Sequence, residues 1–139
     1  MILIFLLYPT DEKRIRKVIG KAEEAIVTEN LEELMECISY NYKDDYGQGY
    51  LQLKNTMQMT FKHLDDIEIE KEIIMVSVKE PSAEAQLSVR VLASDAEGRG
   101  YIIGDAGRTE KMRIFLEKSL NKWLVVRVEE LSDLGKGSF

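Results

Sequence analysis

Hydrophobic residues recur at helical spacing through the first part of the chain and alternate through the second. Ile15, Val18, Ile19, Ala22 and Ile26 fall on one face of a helix over residues 11–28. Thr10 stands at its N-cap, and Asp11 and Glu12 occupy the first turn, where the helix dipole favours carboxylates. Leu31, Leu34, Met35 and Ile38 make a shorter stripe, opened by Asn30 with Glu33 three residues on, the spacing of a capping box. A third helix is predicted from Tyr50 to His63, with Tyr50, Leu53, Met57, Phe61 and Leu64 on its buried side. Just before it, Tyr40 and Tyr42 alternate with Ser39 and Asn41, which predicts a short strand. Residues 43–49 then read as a turn punctuated by Gly47 and Gly49.

From Asp66 the period becomes two. Ile67 and Ile69 fall on one face of this long strand, while Ile74, Val76 and Val78 fall on the other. A bulge near residues 71–73, or burial on both faces, reconciles them. Glu80, Pro81 and Ser82 form a turn, after which Ala85, Leu87, Val89 and Val91 alternate cleanly with polar residues. Residues 98–104, GRGYIIG, read as a wide hairpin loop with an apolar tip at Tyr101, Ile102 and Ile103. Arg99, Asp105 and Arg108 flank it and are placed to pair. Met112, Ile114 and Leu116 mark a further strand, and Leu124, Val126 and Val128 a last one. Helices segregated from an antiparallel meander define an α+β fold: three N-terminal helices packed on a twisted, curved antiparallel sheet. One domain is expected over residues 11–131, between an apolar N-terminal arm, residues 1–10, and a flexible tail, residues 132–139.

Composition narrows the function classes. The 139 residues carry a formal net charge of -6, which argues against a nucleic-acid partner. Lys13, Arg14, Arg16, Lys17 and Lys21 nevertheless gather on the first helix, either as a solvated face or as a surface for a membrane or anionic partner. One cysteine, Cys37, allows no internal disulfide, and acidic neighbours make it an unreactive thiol. With one histidine, His63, no metal site is expected, and no cofactor. Residues 1–8, MILIFLLY, are too few to span a bilayer. They are either an arm packed on the domain or the end of a longer anchor. The first reading goes with a cytoplasmic protein and the second with a membrane-anchored domain outside the cytoplasm.

The order helix–helix–strand–helix–meander resembles the nuclear transport factor 2-like, or cystatin-like, superfamily of α+β cones. The basic first helix, the stretch Tyr40–Tyr42–Asp44–Asp45–Gly47, and the ending Trp123, Val125, Val128 and Glu129 carry the resemblance. The superfamily includes steroid isomerases, dehydratases, polyketide cyclases and epoxide hydrolases, beside non-catalytic domains that bind ligands or assemble. The resemblance implies a pocket between helices and sheet, here assigned to Tyr40, Tyr42, Met57, Phe61, Val89, Ile114 and Val126. It also implies Asp44 or Asp45 as a candidate general base with Tyr42 as a donor, since such chemistry needs a desolvated carboxylate beside a carbon acid.

The same stretch also reads as a KDDYG turn, in which aspartates bend the chain, and that is the reading adopted. Lys43 occupies a ligand position of any calcium-loop alignment and excludes that reading. The glycines of residues 98–104 lead into a strand, not a helix, so they form no dinucleotide loop. His63 is expected as a half-exposed helix-terminal residue, and Met57, Met59 and Met75 as adaptable core. Opposite the core rows, Leu92, Phe115, Trp123, Val125 and Arg127 are expected to share the outer sheet face with Arg90 and Arg113. Aromatic and arginine side chains together are the composition of an interface, which predicts a homodimer there. The expectation is thus a non-catalytic small-ligand-binding or assembly domain, with a small apolar ligand as the partner that the cone would hold. The alternatives are an isomerase, dehydratase or hydrolase, and a membrane-tethered accessory domain.

Overall fold

The computed structural model describes residues 10–130. Residues 1–9 of the expected N-terminal arm, and the expected C-terminal tail, lie outside these residues. Helix α1 spans Asp11–Val27, α2 Leu31–Glu36 and α3 Tyr50–His63. Thr10 caps α1 by accepting from the Lys13 amide at 3.2 Å, and Asn30 caps α2 by accepting from the Glu33 amide at 3.1 Å. Five strands follow: β1 Asp65–Lys79, β2 Ser82–Asp95, β3 Gly98–Ile103, β4 Glu110–Ser119 and β5 Lys122–Glu130. They form one antiparallel sheet in the order β1-β2-β4-β5, with β3 continuing beside the far end of β2.

The helices cover one face of this sheet. Ala83, Ala85, Leu87, Val89, Val91 and Ala93 of β2 alternate into it without a break, as strict period two dictates. Ile15, Ile19, Met35, Ile38 and Tyr42 meet them from the helical layer. Helix α3 buries no residue fully, although Tyr50, Leu53, Phe61 and Leu64 pack half-buried against the core.

Bulges decide which side chains face inward. In β1 the pairing slips between Ile73 and Met75, so Ile74 is the extra residue, one place beyond the predicted bulge. The slip lets Ile67, Ile69, Ile73, Val76 and Val78 share the inner face, and it turns Ile74 and Met75 outward. Met75 is therefore exposed, and Met59 is exposed on α3, so neither is core.

A second slip changes the reading of β5. Leu116 pairs with Val125 and Phe115 with Arg127, which leaves Val126 as the unpaired residue. Strict alternation through Leu124, Val126 and Val128 is broken there. Val128 faces inward opposite Ile114 as expected, but before the bulge Trp123 and Val125 face inward, at 2% and 3% exposure. The expected placement of Trp123 and Val125 on the outer face is corrected accordingly, and so is that of Leu124 and Val126 within the core.

Two further segments differ from expectation. Residues 39–42 form no regular strand; instead Ser39 donates to the Val125 carbonyl at 2.9 Å, Val125 to Cys37 at 2.9 Å and Lys43 to Val126 at 3.0 Å. These bonds cover the free edge of β5, which would otherwise present unpaired backbone groups. The segment expected as a wide loop is strand β3, because Asp95 makes a tight turn by accepting from the amides of Glu97 at 2.8 Å and Gly98 at 3.1 Å. The strand ends at Gly104, whose φ of 73° is left-handed and whose missing Cβ would stand 2.7 Å from the Arg108 carbonyl.

Candidate functional site

The stretch between α2 and α3 is organised by one carboxylate. Asp44 accepts from the Tyr46 and Gln48 amides at 3.0 Å each, from the Gln48 side-chain amide at 3.4 Å, and from the Tyr42 hydroxyl at 3.1 Å. This is an Asx turn with a phenol added, and it uses both carboxylate oxygens. Tyr42 is buried at 4% exposure. Burial, then its hydrogen bond to Asp44, pushes its phenol far above the ordinary tyrosine range, so it stays protonated and donating. Asp45 takes another direction: its carboxylate lies on the surface, 3.1 Å from the Arg127 guanidinium. The two candidate bases therefore do not act as a pair, and Tyr42 donates to Asp44 within the turn.

The residues expected to line a pocket divide. Tyr42 and Val89 are buried in the core cluster, with Phe61 and Ile114 packed half-buried against it. Met57 is half-buried on α3, and Val126 sits at the bulge outside the cluster. Tyr40 is 85% exposed, its ring centroid 4.8 Å from that of Tyr50. A hollow of about 550 Å³ is lined by Asn55, Thr56, Met59, Thr60, His63 and Leu64, all on one side of α3 and its end. His63 is exposed there.

Polar groups that the alternation did not reveal reach the helix-covered face at two places. Lys71 stands in the inner row between Ile69 and Ile73, opposite Val89, and pairs with Glu23 of α1, each side chain 24% exposed. Asp11 accepts from the Trp123 indole at 3.1 Å and from Lys118 at 3.3 Å, while Lys118 reaches Glu80 at 2.9 Å. The indole hydrogen bond is the main reason that the Asp11 carboxyl lies below its ordinary value. The Lys118 ammonium is correspondingly raised, chiefly by its bond to Glu80.

The outer face carries the densest constellation. Phe115 pairs with Arg127 across the β4–β5 ladder, and the guanidiniums of Arg127 and Arg113 lie 5.1 Å and 5.9 Å from its ring centroid. Each is within the range of a cation–π contact. Arg113 lies 2.7 Å from Glu84 and 3.5 Å from Glu129, and Arg127 bridges Glu129 and Asp45. A row Glu84–Arg113–Glu129–Arg127–Asp45 thus runs across the strands with Phe115 at its middle. The Arg127 Nε is buried beside it without a hydrogen-bond acceptor among the described residues. A hollow of about 210 Å³ opens next to Phe115, between Ser77, Lys79, Ser82, Ala83 and Glu84. Elsewhere the flanking charges of the β3 hairpin pair differently from expectation: Arg99 with Glu68 at 2.9 Å and Arg108 with Glu110 at 3.7 Å.

These elements define an α+β protein with helices on one face of a bulged antiparallel sheet and a charged, aromatic-centred opposite face. The chain has the cystatin-like, or nuclear transport factor 2-like, fold. A ketosteroid isomerase-like protein from Erwinia carotovora atroseptica aligns with a TM-score of 0.70 at 11% identity, over 90% of this chain and 99% of that one. A protein of unknown function with a cystatin-like fold from Nostoc punctiforme aligns at 0.68 and 12%, over 88% and 91%. A nuclear transport factor 2-like protein of unknown function from Pseudomonas putida aligns at 0.68 and 13%, over 86% and 84%. No protein-family model and no curated protein matches the sequence significantly. Among the described residues, no helix is long and apolar enough to cross a membrane.

Proposed function

We propose that this chain is a non-catalytic assembly domain whose outer sheet face joins two copies, with the aliphatic inner rows able to take a small apolar ligand. The observation that carries the reading is Phe115, held on the outer face between two guanidiniums and inside a row of alternating charge. A two-fold axis that crosses this row between Glu129 and Arg127 sets acid against base on the second copy, and the hollow beside Phe115 offers room for an apolar side chain. Leu92 and Arg127 belong to the same face; Trp123 and Val125 do not. The non-catalytic part of the reading draws support from the engagement of both acidic candidates, Asp44 in its turn and Asp45 with Arg127. A general base needs a lone pair free toward a substrate.

Sedimentation of the wild type and of Phe115→Glu at micromolar concentration tests the assembly. The wild type is expected as a dimer and the variant as a folded monomer. A monomeric wild type, or a variant that still sediments as a dimer, removes the outer face as the contact.

A further inference from the structure

We propose that the free edge of β1 pairs with the same edge of a second copy, antiparallel about a two-fold axis at Val76. The two edges of the sheet differ. At β5, Cys37, Ser39 and Lys43 bond to the strand's backbone and close it. At β1, 15 residues long, no backbone hydrogen bond arrives from outside the sheet among the described residues, and β2 is the one strand beside it. Open amides and carbonyls in such a row accept a further strand.

The edge has a guarded half and an open half. Asp65, Asp66, Glu68, Glu70 and Glu72 load the first with carboxylates, which repel a like strand. Residues 73–78, IIMVSV, carry no charge. Here the inner row is unfinished: Ile73, Val76 and Val78 are half-buried, while Leu87, Ala85 and Ala83 opposite them on β2 are buried. Ile74 and Met75, turned outward by the bulge, are 48% and 40% exposed. A strand laid along this half removes apolar surface from water on both faces.

The register of charge selects a second copy over a foreign segment. Antiparallel pairing about Val76 sets Met75 against Ser77 of the second copy, both outward. With Ile74 left as the extra residue, as it is against β2, Ile73 meets Val78 on the inner face and Glu72 meets Lys79 on the outer. Every pair then shares a face. Glu72 and Lys79 are exposed, and neither forms an ion pair among the described residues. The axis makes their ion pair twice, once at each end of the contact. It also carries Glu68 and Glu70 past the partner's turn at Pro81, so the two acidic halves never face each other.

The contact is small, with about seven residues from each strand against roughly 20–30 a side in a standard interface. Pairing is therefore expected above the micromolar range in which the Phe115 contact forms, and it does not depend on that contact. A chain that uses both links pairs into larger assemblies.

Sedimentation of the full chain from micromolar to several hundred micromolar concentration tests the proposal. The species at micromolar concentration reports the Phe115 contact; the doubling of mass expected above it reports the edge. Glu72→Lys sets lysine against lysine at both ends and is expected to weaken that doubling by about tenfold. Lys79→Glu is expected to do the same. The reversed pair, Glu72→Lys/Lys79→Glu, is expected to associate within about threefold of wild type. Circular dichroism of all three variants should match the wild type, since both positions are exposed. A mass that stays constant up to several hundred micromolar overturns the proposal, whichever species is found at micromolar concentration. So do single variants that associate like wild type, or a reversed pair that is not rescued, for then the pairing uses another surface or register.

Discussion

The Trp123 indole donates to the Asp11 carboxylate at 3.1 Å and ties the first turn of α1 to the last strand of the sheet. Lys118 closes the cluster from β4, its ammonium 3.3 Å from the same carboxylate and 5.9 Å from the indole centroid. Because the folded-state carboxyl lies below its ordinary 3.8, the cluster contributes stability that is complete above that value. The contribution disappears as pH falls through the lower, folded value. Urea unfolding from neutral pH into the acid range is expected to show a steeper loss in wild type than in Asp11→Asn. At neutral pH, Asp11→Asn should cost about 1 kcal/mol, as for a partly exposed charged hydrogen bond.

The bulge at Val126 separates two neighbouring valines by environment. Val125 is 3% exposed in the core, and Val126 is half-buried at the slip. Val125→Asp is expected to prevent folding, because a carboxylate there has no partner. Val126→Asp is expected to fold cooperatively with a loss of about 1–2 kcal/mol. Thermal melts of the two variants check the register. A soluble, cooperative Val125→Asp would mean that β5 runs one residue out of phase.

Asp44 and Asp45 are adjacent in sequence and unequal in structure. Asp45→Asn removes one exposed ion pair, so its stability should stay within about 0.5 kcal/mol of wild type. Asp44→Ala removes the acceptor for two backbone amides and for the buried Tyr42 hydroxyl. It should cost about 1–3 kcal/mol. The Tyr42 phenol should also titrate closer to the ordinary tyrosine value in Asp44→Ala, since one cause of its upward shift is gone. Denaturant melts and ultraviolet titration read the two effects separately.

Gly104 ends β3 where the chain turns toward β4. A methyl group there meets the Arg108 carbonyl at 2.7 Å and the Arg90 Cβ at 3.0 Å, on a backbone at positive φ. Gly104→Ala is expected to cost about 1–3 kcal/mol. Gly20→Ala, in the middle of α1 with open space around it, is expected to stabilise by about 0.5–1 kcal/mol. A melting temperature that rises in both would show that the Gly104 turn relaxes freely.

Much of the architecture was legible in local chemistry. Thr10 and Asn30 announced their helices because a cap needs only a short side-chain acceptor within three residues of a free amide. The full extent of α3 followed from Tyr50, Leu53, Met57, Phe61 and Leu64, and the inner row of β2 from unbroken alternation. The turn role of residues 43–49 was the adopted one of two readings, and Asp44 needed only neighbours two and four residues away to take it. Each of these depends on contacts within a few positions along the chain.

Tertiary structure decided whatever depended on phase and on distant partners. A bulge adds one residue to one strand and reverses every side chain beyond it, and nothing in residues 123–128 marks Val126 as the extra one. Trp123 looked like an exposed aromatic because its partner, Asp11, lies at the other end of the chain. Lys71 occupies an inward position because Glu23 waits on α1, and Asp45 leaves the Asp44 turn because Arg127 stands beside it. The pattern of apolar residues along the chain determined the three helices and the strands β1, β2, β4 and β5, but not the irregular segment at residues 39–42 or strand β3. Which face each strand residue occupies, and which charges it meets there, came from register and packing, where neighbours in space are far apart in sequence.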